Sequence, residues 1–93
     1  MNTQQIVMGV NARVAAIGNP YNSWKIGLSH NTAERRRYWQ DTRLENIDGW
    51  TQWTADSLAE AQAVENYFTK EKGMISGPAV DLYENKTVYV YIF

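Results

Sequence analysis

The first half of the chain contains a short segment whose residue types and spacing suit the binding of an anion. Apolar and polar residues alternate over residues 24–29, as in a strand, and the polar positions are Lys25, Gly27 and Ser29. A glycine within a strand often marks the close approach of another group. Arg35 lies about one helical turn further on and can reach back over the bare backbone at Gly27. The spacing therefore predicts an anion site, with a phosphate as the expected ligand.

Three consecutive arginines follow this strand, and they cannot all serve one site because they fan out over about 200° of a helix. Arg35 shares a helix face with Tyr38 and Trp39. We expect this aromatic face to meet the sheet and to turn Arg35 inward, whereas Arg36 and Arg37 stay in solvent.

Glu65 has an unusual position for a carboxylate, because it falls inside the apolar stripe of a predicted helix. The stripe consists of Leu58, Ala61, Val64 and Phe68. A carboxylate on a buried face is costly unless it is paired or binds a cation. Glu65 therefore forms a structural ion pair with Arg35, Arg36 or Lys25, or lies at a stripe edge that reaches water, or serves as a metal ligand or acid–base group. With an ion pair, we expect Glu65→Gln to cost more stability than Glu60→Gln.

The remaining candidates are one histidine and two tryptophans. His30, the only histidine, lies at the strand-to-helix junction and is either incidental, a hydrogen-bond donor to a bound phosphate, or a general base. Most of the four tryptophans and six tyrosines are expected in the core, but Trp50 or Trp53 can stack on a base. The chain has no cysteine, which excludes thiol catalysis, disulfides and zinc–thiolate sites.

Length and charge limit the class of protein. The 93 residues fit one domain, residues 1–93, with a small core. The net charge of −1 is not that of a protein that binds duplex DNA through its overall charge, so any nucleic-acid binding must use a local patch. We find no signal-peptide pattern and no apolar run near the roughly 20 residues that span a bilayer. We therefore expect a cytoplasmic protein with no membrane partner.

The elements that must position these residues follow from periodicity and capping signals. Thr3 can cap a first helix that stops at Gly18, Asn31 and Ser57 each precede a glutamate by three residues, as in a capping box, and Gly73 is a further stop. The predicted elements are a helix over 4–17, a strand over 24–29, a helix over about 32–40, a strand over 50–54, a helix over 58–72, a loop over 74–86 and a strand over 87–93. The fold class is α+β, a single small domain of three helices and about three strands in the order α-β-α-β-α-β.

The last strand is apolar or aromatic on both faces. That pattern suits a central strand covered on both sides, or a strand with one face covered by a partner subunit. A homo-oligomer formed through residues 87–93 is therefore one expectation.

The segment Lys25-Ile26-Gly27, a polar turn and then Arg35 resemble the second motif of the GIY-YIG superfamily, closest to a branch that is frequent in phage-related proteins. Residues 61–68, with Glu65, are similar to the later helix of that family. The resemblance implies that Arg35 contacts a scissile phosphate, that Glu65 holds one divalent cation such as Mg²⁺, and that the glycine-bearing strand lies beside the arginine helix. Tyrosines in the two named motifs of the family help to activate the attacking water.

The chain departs from the family pattern where proton transfer takes place. A helix is predicted before residue 24 in place of a Gly-Ile-Tyr strand, Lys25 replaces the tyrosine of the second motif, and Trp39 stands where a histidine is often present. We therefore expect a module that binds a phosphate-containing ligand, nucleic acid or nucleotide, without efficient cleavage. The expected ligand-binding residues are Lys25, Gly27, Ser29, Arg35, Trp50 and Trp53.

Two other functions remain open from the sequence. A Mg²⁺-dependent nuclease would use Glu65 as the metal ligand, Arg35 on the phosphate and His30 as the base. A small oligomeric inhibitor of phage type, or a nucleotide-sequestering protein, would use the last strand as its partner surface.

Overall fold

A mixed four-stranded β-sheet forms the centre of the protein, and helical segments cover both of its faces. The computed structural model describes all residues from Met1 to Phe93. The elements are α1 (Thr3–Ile17), β1 (Lys25–Ser29), α2 (Thr32–Arg37), β2 (Thr51–Ala55), α3 (Leu58–Lys70), β3 (Ile75–Ser76) and β4 (Val88–Ile92). A 3₁₀ turn at Tyr21–Ser23 precedes β1, and a π-helical turn at Tyr38–Thr42 continues α2. The α+β class and the three α-helices expected from the sequence are confirmed.

Strand β4 lies inside the sheet, whose order is β2-β4-β1-β3. It runs antiparallel to both neighbours, with Ile92 opposite Ile26 in β1 and opposite Thr51 in β2. Strand β3 is an edge strand parallel to β1. The sequence predicted a loop over residues 74–86 and did not predict β3, because two residues are too few to show an alternating pattern.

One face of the sheet packs against α1 and α3. Val10 of α1 and the α3 residues Val64 and Phe68 are fully buried in one cluster with Ile26 and Val90 of the sheet. Because side chains alternate along a strand, every second residue of β1 and β4 faces these helices. The apolar stripe predicted on the helix over 58–72 is therefore the surface that α3 buries.

The opposite face of the sheet carries a smaller aromatic cluster. Trp39, from the π-helical turn, and Ile47 bury this face together with Tyr91 of β4. Strand β4 is thus covered on both faces and paired on both edges, as its doubly apolar pattern predicts for a central strand. The other expectation for this strand, a homo-oligomer through residues 87–93, stays a prediction.

Capping interactions explain where α1 begins and ends. Asn2, rather than Thr3, is the N-cap: its side chain accepts a hydrogen bond from the Gln5 N–H, and the Gln5 side chain accepts one from the Asn2 N–H. Gly18 ends the helix with a φ of 87°, a left-handed conformation that glycine adopts without strain.

Candidate ligand-binding site

Side-chain hydrogen bonds hold the junction between β1 and α2. Ser29 Oγ accepts a hydrogen bond from the Asn31 N–H at 2.9 Å, and Asn31 Oδ1 accepts one from the Glu34 N–H at 3.1 Å. The reciprocal bond of a full capping box, from the Asn31 N–H to the Glu34 side chain, is replaced by the bond to Ser29, which is only 6% exposed. The junction therefore holds Arg35, the residue after Glu34, on the first turn of α2 beside the end of β1.

A cavity of about 250 Å³ opens at this junction, and we call it the Arg35 cavity. One wall comes from the β1–α2 junction, with Ser29 and Asn31, and the other comes from residues 80–86. Its charged lining residues are Glu34, Arg35, Asp81 and Lys86.

The two cations of the Arg35 cavity have no carboxylate partner. The Arg35 guanidinium lies over the Tyr38 ring at 4.7 Å, and Lys86 Nζ lies over the Tyr83 ring at 5.1 Å. The ion pairs of the protein are elsewhere, between the N-terminal amine and Asp56 and between Lys25 and Glu45. Since contact with a ring face leaves the N–H donors of a cation unused, both side chains can bind an anion in the cavity.

His30 is engaged on both sides of its ring. Its Nδ1 lies 2.8 Å from the Thr87 carbonyl oxygen, and its Nε2 lies 2.8 Å from the backbone nitrogen of Tyr83. The Tyr83 N–H can only donate, so Nε2 accepts, and Nδ1 carries the proton that it donates to Thr87. A base must have a free nitrogen within reach of the proton that it removes. His30 therefore lines the cavity but does not fit the role of general base expected for a nuclease.

Gly27 does mark a close approach, but the approaching group belongs to the protein. A side chain at Gly27 would overlap the hydroxyl and ring of Tyr91, which crosses the strand at this point. Tyr91 is 1% exposed, and its hydroxyl accepts a hydrogen bond of 2.9 Å from the Trp39 indole N–H. The close approach predicted at Gly27 is therefore made by the Tyr91 ring, and a ligand contact at Gly27 stays a prediction.

Lys25 also lies outside the Arg35 cavity. Its Nζ is 3.5 Å from Glu45 Oε1 and 5.6 Å from the centre of the Phe93 ring. The positive charge of Lys25 therefore interacts with a carboxylate and an aromatic ring of the protein itself. Its predicted role as a phosphate ligand stays a prediction, and it would be exercised outside the Arg35 cavity.

The two tryptophans predicted to stack on a base are both used in packing. Trp50 lies parallel to the Tyr91 ring, with 4.4 Å between ring centres, and Arg36 approaches its ring at 5.5 Å. Trp53 faces α1 on the other side of the sheet, where it packs closely on Gly9. The exposed aromatic side chain at the cavity is instead Tyr83, which is 51% exposed.

Glu65 lines a second cavity of about 230 Å³, which it shares with the residues from Ser76 to Val80. Its carboxylate forms no ion pair and no hydrogen bond, so the predicted ion pair with Arg35, Arg36 or Lys25 is wrong. Burial raises the pKa of Glu65 above its ordinary value. The two cavities are neighbours, since both are lined by Val80.

The charges of Arg35 and Glu65 both influence the pKa of the Tyr91 hydroxyl. Burial raises the pKa of the Tyr91 hydroxyl, and the charge of Glu65 adds to the rise, whereas the Trp39 hydrogen bond and the charge of Arg35 oppose it. The charges of Arg35 and Glu65 therefore act in opposite directions on one buried hydroxyl.

The metal role expected for Glu65 depends on the ligands that surround it. The protein contains no group of three or more histidine or acidic side chains placed to hold a metal ion. Mg²⁺ usually takes one or two carboxylates and completes its octahedron with water and substrate phosphate. Glu65 offers one such carboxylate, and its role as a metal ligand stays a prediction.

Sequence reasoning found one wall of the Arg35 cavity and missed the other. Ser29, His30 and Arg35 were candidates from their spacing, and they do lie together. Tyr83 and Lys86 were not, because they fall in a segment without periodicity, and no local signal tells where such a segment folds back.

Comparisons of this chain with protein-family models, with curated proteins and with solved structures find no match. None of the helices combines the length and the apolar character needed to cross a membrane.

Proposed function

We propose that the protein binds a phosphate-containing ligand, a nucleotide or a nucleic-acid segment, in the Arg35 cavity and does not turn it over. The observation that carries the proposal is the pair Arg35 and Lys86, two cations without carboxylate partners that line one open cavity. Arginine and lysine are the side chains that proteins use most for phosphate. Ser29, Asn31 and the exposed ring of Tyr83 add polar and aromatic contacts for the rest of a nucleotide.

The relationship to the GIY-YIG superfamily is part of this proposal. It is supported by the Lys-Ile-Gly strand that leads into the arginine helix, and by the two neighbouring cavities that Arg35 and Glu65 line, which share Val80. Both features agree with what the resemblance implies for those residues.

The absence of efficient cleavage follows from the groups that would have to move a proton. Both nitrogens of His30 are bound to backbone groups, and the Tyr91 hydroxyl is buried. Glu65 supplies one carboxylate without a second ligand beside it. Losing general-base assistance typically costs about 10²–10⁴-fold in rate.

The proposal is tested by titrating the protein with inorganic phosphate, 5′-AMP and a short single-stranded oligonucleotide at low salt. We expect saturable binding that Arg35→Ala and Lys86→Ala each weaken about 10- to 100-fold, the range of one charged hydrogen bond. Arg37→Ala is the matched control, because Arg37 is exposed on the same helix and does not line the cavity. Equal losses in all three variants, or no binding of any probe, would contradict the site.

Catalysis is checked with the same oligonucleotide in Mg²⁺ or Mn²⁺. We expect no multiple-turnover cleavage. Robust turnover that Glu65→Ala abolishes would overturn the proposal and favour the nuclease.

A further inference from the structure

Residues 78–86, which include the second wall of the Arg35 cavity, are held to the rest of the protein by few hydrogen bonds. Between Pro78 and Lys86, the only hydrogen bond that reaches outside the segment is the one from the Tyr83 N–H to His30 Nε2. The Lys86 N–H bonds internally, to the Tyr83 carbonyl. The next attachment, the Thr87 carbonyl, is held by the other nitrogen of the same imidazole. His30 therefore makes the hydrogen bonds that hold the segment carrying Tyr83 and Lys86, and Leu82 adds an apolar contact with the core.

This attachment requires a single form of the imidazole ring. Nε2 accepts and Nδ1 donates, so the ring is neutral with its proton on Nδ1. A proton added to Nε2 would face the Tyr83 N–H, and two donors cannot form a hydrogen bond. The rings of His30 and Tyr83 are also nearly parallel, at 19° and 5.9 Å, so the orientation of His30 sets that of Tyr83.

We propose that His30 is a positioning residue that holds the 78–86 segment against the Arg35 cavity while its ring is neutral, and releases the segment when the ring is protonated. The inference rests on the proposed function, because it links His30 to ligand affinity through Lys86 and Tyr83. Histidine is the side chain that ordinarily changes charge between about pH 5 and 8. Because release withdraws Lys86 and Tyr83 from the site, we expect affinity to fall on acidification although the protonated ring adds a positive charge to the cavity.

Charged groups on both walls surround the imidazole. The titratable or charged residues that line the cavity with it are Glu34 and Arg35 from α2, and Asp81, Tyr83 and Lys86 from the 78–86 segment. At Thr87 the ring meets a carbonyl group only.

The attachment itself is tested without ligand. Nitrogen-15 shifts of the imidazole at pH 7.5 should report a proton on Nδ1 and none on Nε2. Hydrogen exchange of the Tyr83 amide should be about tenfold faster in His30→Ala, as expected for one lost hydrogen bond, and should be restored in His30→Gln, whose Oε1 can replace Nε2 as acceptor. A proton on Nε2, or a Tyr83 amide that exchanges equally in wild type and His30→Ala, would overturn the inference. The ring shifts need no variant, so a poorly folded mutant does not decide the matter.

The link to affinity is tested with sulfate, which stays a dianion and so keeps its own charge constant, at pH 7.5 and pH 5.5. We expect wild-type affinity to fall about three- to tenfold at the lower pH and His30→Gln to lose most of this dependence. Equal wild-type affinities at the two pH values would overturn the role of His30 and leave the site intact. No sulfate binding at either pH would overturn the proposed function, and with it the effect of His30 on affinity. The hydrogen exchange of the Tyr83 amide would then still test whether His30 holds the 78–86 segment.

Discussion

At the scale of single residues, the packing of Tyr91 restricts which side chains fit at the positions around it. Its ring is held between Gly27 on the sheet and the parallel ring of Trp50, and its hydroxyl accepts the indole N–H of Trp39. A glycine is needed at position 27 because the Tyr91 ring lies where a side chain would be. The glycine of the Lys-Ile-Gly segment is thus explained by packing inside the protein rather than by the approach of a ligand.

We expect Gly27→Ala to lower the free energy of unfolding by about 1–3 kcal/mol, the usual cost of an added methyl group in a tightly packed site. Tyr91 cannot move aside easily, since Trp50 stacks on it at 4.4 Å between ring centres. Urea denaturation of the variant and the wild type measures the difference. Gly49→Ala is the control, because a side chain there meets open space at an ordinary backbone conformation. Equal stabilities for Gly27→Ala and the wild type would mean that the Tyr91 ring does not lie over this position.

At the scale of elements, α3 carries two glutamates with opposite roles. The Glu60 carboxylate accepts hydrogen bonds from the Thr3 N–H and hydroxyl, and so joins α3 to the start of α1. Glu65 has no such partner and is half-buried. The sequence suggested that Glu65 would be the costlier residue to neutralise, and the contacts reverse that expectation.

We expect Glu60→Gln to lower stability at pH 7 by about 1 kcal/mol, and Glu65→Gln to leave it unchanged or raise it. Burial raises the pKa of Glu65 in the folded state, so the folded protein binds this proton more tightly than the unfolded chain. The stability from this group is therefore present below its ordinary pKa of 4.5 and is lost as the pH rises through the raised value. Denaturation curves between pH 4 and pH 7 should show this loss in wild type and not in Glu65→Gln. A Glu65→Gln protein less stable than Glu60→Gln at pH 7 would mean that Glu65 has a partner.

Elements with regular patterns were predictable from the sequence, and the relations between elements were not. Periodicity located α1 and α3, Gly18 ended α1, and alternation located β1 and β4. Helix α3 ends at Lys70, two residues earlier than predicted, with Glu71 rather than Gly73 as its C-cap. For the site, spacing brought Ser29 and Arg35 together, but it assigned Trp50 and Trp53 to the ligand when tertiary contacts use both. The sheet register, which decides which face a residue joins, depends on strands far apart in the chain. The prediction also ended α2 three residues late, since the chain passes into a π-helical turn at Tyr38.

At the scale of the whole molecule, the near-neutral charge makes any nucleic-acid binding a local matter. The net charge is −1, and of the arginines that follow β1 only Arg35 lines the cavity. Arg36 and Arg37 are exposed, as the sequence predicted. Binding should therefore depend on few phosphate contacts and change only moderately with salt.

For a single-stranded oligonucleotide held by the two cations Arg35 and Lys86, raising the salt from about 50 to 200 mM should weaken binding roughly sevenfold. The value follows from the release of counterions at two phosphates on a single strand. A series of titrations at increasing salt gives the slope, and Lys86→Ala should reduce it by about half. If the logarithm of the affinity falls several times more steeply with the logarithm of the salt concentration, Arg36, Arg37 and other surface cations also contact the oligonucleotide. The proposed site would then be larger.

The central position of β4 in the sheet has a consequence for folding during translation. β1 and β2 form no hydrogen bonds with each other; each pairs with β4, the last of the strands to be synthesised. Until residues 88–92 have emerged, the only sheet contact open to the nascent chain is the two-residue pairing of β1 with β3. The apolar faces of α1 and α3 therefore have no complete sheet to pack against until translation reaches β4. The sheet must close after synthesis of its last strand, when a single segment joins two strands that have been apart until then.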